Sequence, residues 1–183
     1  MRPCEEEQEE EEEIRICHTR DIHLDHPAVQ QKMEEIWNTA YSTDDSDPTA
    51  QSERRESLWA IEWKVGNDYR FIEAIGGTIT SCSMRGASVG LSRDIDGNPK
   101  YLVGFLHVEP FAPGEVITDQ ACLEARDGGG NYSVAYGSDL SRNDAKLSKN
   151  YNVPVYVMNK NKISVIEPLN ETTYSITYSR CGY

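Results

Sequence analysis

A change in the spacing of apolar residues constrains the fold of this chain more than any other feature. Behind Pro27, apolar side chains recur at the spacing of an amphipathic helix with one buried face. That stripe consists of Val29, Met33, Ile36, Trp37 and Ala40. From Ser57 the spacing becomes two, which is typical of a strand with one strongly buried face. The alternating set is Trp59, Ile61, Trp63 and Val65.

Further strands are predicted before and after a second helix. The predicted helices span residues 27–41 and 141–151, and the predicted strands span 57–65, 69–75, 78–83, 87–91, 100–108, 153–158, 163–167 and 174–178. The turn Gly66-Asn67-Asp68 joins the first two strands as a hairpin. This order of elements predicts an α+β fold with a mixed, largely antiparallel sheet flanked by helices.

Acidic residues are concentrated at the N-terminus. Residues 1–13 hold eight Glu and one Arg, so they supply −7 of the net charge of −13. We predict an acidic disordered leader over residues 1–24 and a single domain over 25–183. The acidic balance argues against nucleic acid as a partner, because phosphate contacts need clustered Lys and Arg. No transmembrane segment is predicted, since no apolar stretch approaches the roughly 20 residues that such a helix needs.

The cysteines are scattered without a Cys-x-x-Cys pair, which argues against a zinc ribbon or a thioredoxin-type redox site. They are Cys4, Cys17, Cys82, Cys122 and Cys181. Cys4 stands directly before the Glu run and has two interpretations. Either it carries the lipid anchor of an exported or cell-surface lipoprotein, whose signal peptide the given sequence lacks, or it lies in the disordered tail of a cytoplasmic protein. A cysteine hydrolase that pairs Cys82 or Cys122 with His107 has no supporting local motif.

His107 and Glu109 are the first candidate metal ligands. They lie two residues apart at the end of the most apolar strand, so their side chains share one face and can converge on one cation. The alternative is an ordinary hydrogen bond at a strand end. A second group of potential ligands lies in the leader. These residues either form a metal site or are polar residues that simply face water. The group consists of Cys17, His18, His23 and His26.

Two other segments carry candidate residues. Asp144, in the first turn of the second helix, is either a third metal ligand or part of a near capping box with Ser141. Glu56, at the start of the first strand, is either a plain polar residue or a general base. Such a base accepts the proton of a metal-activated water and passes it to the leaving amine.

In their order along the chain, these residues resemble JAMM (MPN-type) metallopeptidase domains, in particular the divergent JAB-like domains of bacterial secreted and toxin-associated proteins. The resemblance covers about residues 25–170. The segments that carry it are the helix over 27–41, Glu56-Ser57-Leu58-Trp59, the His107 strand, Ser141-Arg142-Asn143-Asp144 and the hairpin that follows Asn152-Val153-Pro154. It implies a cytidine-deaminase-like layering of sheet and helices, a zinc ion held by His107 and Asp144, Ser141 as the polar assistant and Glu56 as the base.

The chain departs from the family at the metal strand. The family has His-x-His-Pro, whereas this chain has His107-Val108-Glu109-Pro110, and 33 residues separate His107 from Ser141. Glu109 therefore replaces a His ligand, which shifts the metal preference toward manganese or iron and weakens the Lewis acidity of the ion. Two functions follow. One is metal-dependent hydrolysis of peptide or isopeptide bonds, and the other is a catalytically inactive, surface-tethered or secreted domain that binds a protein or peptide.

Overall fold

The computed structural model describes residues 15–16, 22–40, 54–64, 66, 68–79, 84–111, 115–118, 142–159, 162–168 and 175–181. The helices of this part are α1 (Pro27–Ala40) and α2 (Arg142–Tyr151). Its strands are β1 (Arg15–Ile16), β2 (Ser57–Lys64), β3 (Asp68–Glu73), β4 (Thr78–Ile79), β5 (Met84–Arg85), β6 (Leu102–Val108), β7 (Val155–Met158), β8 (Lys162–Ile166) and β9 (Ser175–Cys181). None of the described helices is long and apolar enough to cross a membrane.

Seven strands form one sheet in the order β1-β9-β8-β7-β6-β2-β3. Strands β6 and β7 are parallel, and the other neighbours in this sheet are antiparallel. Helix α2 lies between β6 and β7 along the chain, as a parallel connection requires. Strands β4 and β5 pair separately. This architecture confirms the predicted α+β class with a mixed, largely antiparallel sheet and flanking helices.

The central strands have apolar clusters on both faces. The five buried residues of α1 pack on one face, where Leu106 and Val108 of β6 also lie. Phe105 of β6 belongs to a second cluster, against which Ala145 and Leu147 of α2 pack. Because successive side chains of a strand point to opposite faces, the two helices cover opposite sides of the sheet.

The predicted burial of β2 is wrong in part. Ala60 and Glu62, assigned to the less buried face, have no exposed surface, whereas Trp63 is 38% exposed. The Glu62 carboxylate accepts hydrogen bonds from the backbone N–H of Ser92, at 2.6 Å, and from its hydroxyl, at 2.8 Å. The residues around Ser92 therefore cover the face of β2 that the alternation pattern predicted to be less buried.

Packed structure begins before the predicted domain boundary after residue 24. Leu24 is fully buried in the cluster under α1, and β1 pairs with β9. His23 contacts Tyr69 through a 2.9 Å hydrogen bond between Nδ1 and the hydroxyl, and the His26 ring lies 4.7 Å from that of Tyr69. These two histidines therefore pack against an aromatic ring instead of only facing water. Cys4, Cys17 and His18 lie outside the described residues.

Candidate functional site

The sheet brings Glu56, His107 and Glu109 to the same edge. Leu58 of β2 lies directly opposite His107 of β6 in an antiparallel pair, so their side chains share a face. Glu56 lies two residues before Leu58 and Glu109 two residues after His107, which keeps both on that face where the backbone stays extended. The backbone N–H of Glu109 donates a 2.8 Å hydrogen bond to the carbonyl of Met158 at the end of β7. This bond holds the chain extended past the end of β6.

Helix α2 brings Asp144 to the same place. The helix covers the face of the sheet on which Phe105 lies, and His107 is two residues further along that face. Asp144 is in the first turn of α2, where unpaired backbone N–H groups favour a carboxylate. Its Oδ1 lies 2.9 Å from Nδ1 of His107, so the imidazole N–H donates a hydrogen bond to the carboxylate.

The four side chains form a compact buried group, here called the His107 cluster. Nε2 of His107 lies 3.8 Å from Oε2 of Glu56 and 3.9 Å from Oε1 of Glu109. Both distances exceed that of a hydrogen bond, and Nε2 has no hydrogen-bond partner among the described residues. The exposed fractions are 7% for Glu56, 8% for His107, 5% for Glu109 and 4% for Asp144. The cluster therefore presents one imidazole nitrogen to two carboxylates inside the protein.

The carboxylates control the protonation of His107. Burial by itself would lower the pKa of His107, since it disfavours the charged imidazolium. The hydrogen bond to Asp144 and the nearby carboxylates of Glu56 and Glu109 oppose this effect and outweigh it, so the pKa of His107 lies well above its usual 6.5. An imidazolium is therefore the form of His107 that the cluster favours when it binds no other cation.

The spacing of these atoms can be compared with that of zinc ligands. Two donor atoms about 2.1 Å from one zinc ion lie at most about 4.2 Å apart, and about 3.4 Å apart in a tetrahedral site. The distances from His107 Nε2 to Glu56 and Glu109 fall between these values. Among the described residues, no group of three His, Cys, Asp or Glu side chains has the geometry of a formed metal site. The donor types and the position of Nε2 suit a metal ion, and a tetrahedral site would require Glu109 to move closer to Nε2, from 3.9 Å toward about 3.4 Å.

The structure brings together most of the residues predicted from the sequence, namely Glu56, His107, Glu109 and Asp144. Asp144 contacts Nδ1, whereas Glu56 and Glu109 lie nearest Nε2. Asp144 was predicted as a metal ligand, and its observed contact is a 2.9 Å hydrogen bond with Nδ1 of His107. The predicted polar assistant Ser141 lies outside the described residues, as do Cys82 and Cys122.

Sequence reasoning missed Arg54. This side chain is 1% exposed, and its Nη1 lies 2.6 Å from Oε1 of Glu115 and 3.4 Å from the carbonyl of Pro110. Its guanidinium carbon lies 5.2 Å from the centre of the Phe111 ring. Arg54 therefore holds the segment that follows Glu109 against the entry to β2. Its position two residues before Glu56 was visible in the sequence, but Arg is mostly exposed in proteins, so nothing local indicated burial.

Comparisons of the chain with protein-family models, with curated proteins and with solved structures gave no significant match. The resemblance to JAMM domains therefore stays a prediction. The functional argument rests on the His107 cluster itself.

Proposed function

We propose that the protein is a metal-dependent hydrolase of peptide or isopeptide bonds, with the His107 cluster as its catalytic centre. The observation that carries this proposal is the state of Nε2 of His107. The atom is buried, lacks a hydrogen-bond partner among the described residues and faces Glu56 and Glu109 within 3.9 Å. A buried polar atom without a partner costs about 1–3 kcal/mol. Coordination of a metal ion by Nε2 would remove that cost.

The charges of the cluster support a divalent cation. Three carboxylates and one neutral imidazole carry a formal charge of −3, and even an imidazolium leaves −2. Buried carboxylates that lie close together repel one another, and a cation between them offsets this repulsion. Zinc is the ion that the resemblance implies. Manganese or iron also suits a donor set in which carboxylates outnumber imidazoles.

Each side chain has a separate role in the proposed reaction. His107, through Nε2, and Glu109 would hold the ion, which supplies the Lewis acidity that polarises the scissile carbonyl and activates water. Asp144 accepts the Nδ1–H of His107 and so fixes the ring with Nε2 toward the other two carboxylates. Glu56 is the general base, because its buried carboxylate can take a proton from water and return it to the leaving amine.

A non-catalytic binding domain of the same fold is the second candidate. The observation in its favour is the position of His107 among three carboxylates, which favour its imidazolium and so form a buried ionic network without a metal. Such a domain would bind a protein or peptide and could be tethered through Cys4. The two candidates differ in whether the His107 cluster binds a metal ion.

Metal content separates these candidates. Protein purified without chelator should contain about one equivalent of a divalent metal, and added zinc, manganese or iron should raise the Tm of the metal-free form. His107→Ala should abolish both effects. His23→Ala is the matched control, because His23 lies outside the His107 cluster and its Nδ1 forms a hydrogen bond with the hydroxyl of Tyr69. A wild-type protein that contains no metal and shows no thermal shift excludes the hydrolase and leaves the binding domain.

Hydrolysis tests the role of Glu56. We expect the metal-loaded protein to cleave members of a mixture of quenched fluorescent peptides and a model isopeptide linked through the Lys ε-amine. Glu56→Gln should lower this rate by about 100-fold or more with the metal still bound, because the base is lost. Glu34→Gln, an exposed acid on α1, is the control. Equal loss of activity in both variants would contradict the assignment of the base.

A further inference from the structure

A cavity of about 320 Å³ lies between α1 and the first residues of β2, on the α1 side of the sheet. Its wall is partly apolar, because Ile36, Ala40 and Trp59 contribute to it. The remaining lining residues are polar or charged: Lys32, Glu35, Thr39, Arg55, Glu56, Ser57 and Glu73. Small-molecule pockets have volumes of about 300–1,000 Å³. This cavity is at the lower end of that range, so it suits one side chain of a larger ligand.

The side chain of Lys32 lies against this wall. Its Nζ lies 2.9 Å from Oε2 of Glu35 and 5.6 Å from the centre of the Trp59 ring. A carboxylate and an aromatic face together attract an ammonium or guanidinium group through an ion pair and a cation–π contact. The protein thus already places one of its own ammonium groups against this wall.

One carboxylate of the wall is open to an incoming cation. The wall includes the acids Glu35 and Glu73 and the cations Lys32 and Arg55, whereas the carboxylate of Glu56 lies 3.8 Å from Nε2 of His107. Lys32 is already paired with Glu35. Glu73, exposed at the end of β3, forms no ion pair or side-chain hydrogen bond with another described residue. An incoming basic group can therefore pair with Glu73 and can also compete with Lys32 for Glu35.

We propose that this cavity binds a basic side chain, Lys or Arg, of a peptide. The methylene groups of that side chain would lie along Ile36 and Trp59, and its charged end would meet the carboxylates. Glu56 lines the cavity and also belongs to the His107 cluster, so the cavity on the α1 side of the sheet and the candidate centre on the α2 side meet at the start of β2. The role of the cavity as a substrate subsite rests on the proposed function, whereas the binding of the side chain does not.

Two matched probes test the binding. Capped Ala-Lys-Ala and capped Ala-norleucine-Ala differ in the ammonium group, and their Kd values can be measured by calorimetry or chemical-shift titration in the presence of chelator. The Lys probe should bind about three- to thirty-fold more tightly, the range expected for a cation over an aromatic ring. Glu73→Gln should weaken binding of the Lys probe about threefold or more and leave the norleucine probe unchanged.

Lys32→Met provides the opposite change. It removes the competing ammonium group and should tighten binding of the Lys probe, whereas Glu34→Gln, outside the cavity wall, should change nothing. Equal affinity for the two probes, absence of binding, or weaker binding by Lys32→Met would overturn the proposal. In His107→Ala the preference for the Lys probe should persist. A protein that keeps this preference but binds no metal would therefore disprove the hydrolase and leave the cavity assignment intact.

Discussion

The two faces of the sheet are covered by helices of different character. Helix α1 buries five side chains, all apolar, against one face. Helix α2 buries Asp144 and Ser148 against the other, with Ala145 and Leu147 only partly buried. Ser148 also donates a 2.8 Å hydrogen bond from its hydroxyl to the carbonyl of Val153. One side of the molecule is thus held by apolar packing, whereas the other depends partly on buried polar contacts.

The apolar side and the polar side of the sheet contribute differently to the stability of the fold. Apolar burial contributes about 25 cal/mol per Å² and needs no special geometry. Buried polar groups cost free energy unless each has a partner, so a cluster of four ionisable side chains can persist only where other parts of the fold supply the stability. Helix α1 contributes five buried apolar side chains to that stability, and the face of the sheet under α2 carries His107 and its carboxylates.

The largest expected effect comes from the apolar face. Trp37→Ala should lower the free energy of unfolding by about 3–5 kcal/mol, because it removes a large, almost fully buried side chain. Urea denaturation measures the loss. Leu147→Ala is the matched change on the α2 side, and it should cost about 1 kcal/mol because Leu147 is only partly buried. Equal losses in the two variants would show that the faces contribute alike.

An intermediate effect is expected at the polar face. Asp144→Asn removes the charged acceptor for Nδ1 of His107, and such hydrogen bonds contribute about 1.5–3 kcal/mol. Metal affinity should also fall about 10- to 100-fold, since the ring loses the group that orients it. Denaturation and metal titration check these two effects. Asn143→Ala, an exposed neighbour in the same turn, is the control. Unchanged metal affinity would show that Asp144 does not orient His107 for metal binding.

The smallest effect is a dependence of stability on pH. The folded protein raises the pKa of His107 above that of the unfolded chain, so the imidazolium stabilises the fold fully below about pH 6.5. This contribution is lost as the pH rises through the folded pKa, with a slope of at most about 1.4 kcal/mol per pH unit.

Denaturation curves recorded between pH 5.5 and 9 with chelator measure this slope. Glu56, Glu109 and Asp144 are the charged groups that face His107, and all three remain in His107→Gln. That variant should lose the slope, whereas His23→Gln should retain it. A wild-type slope identical to that of His107→Gln would mean that the imidazolium does not stabilise this fold.

Much of the fold could be predicted because local patterns report secondary structure directly. The stripe behind Pro27 predicted a helix over 27–41, and α1 spans Pro27–Ala40. Residues 57–65 and 69–75 were predicted as a hairpin, which β2 and β3 confirm. Residues 87–91 were predicted as a strand, but there only Ser88 forms an isolated bridge, with Ile75. Strand formation there depends on a neighbour, which a local pattern does not reveal.

Part of the candidate site could also be predicted from local patterns, and part could not. The alternation along β6 predicted that His107 and Glu109 share a face, and the predicted second helix has Asp144 in its first turn. The burial of Arg54 and Glu62 depends on partners more than 25 residues away in the chain, Glu115 and Ser92. No periodicity within a strand or helix encodes such partners.

The amino-acid sequence by itself determined where both helices and the strands β2, β3, β6, β7 and β8 form, because spacings of two and of three to four residues are local properties of the backbone. Only the tertiary structure decided that Asp144 meets Nδ1 of His107 while Glu56 and Glu109 lie nearest Nε2. This arrangement follows from the register of β2 on β6 and from the packing of α2 on the sheet. Both bring together residues that are distant in the chain.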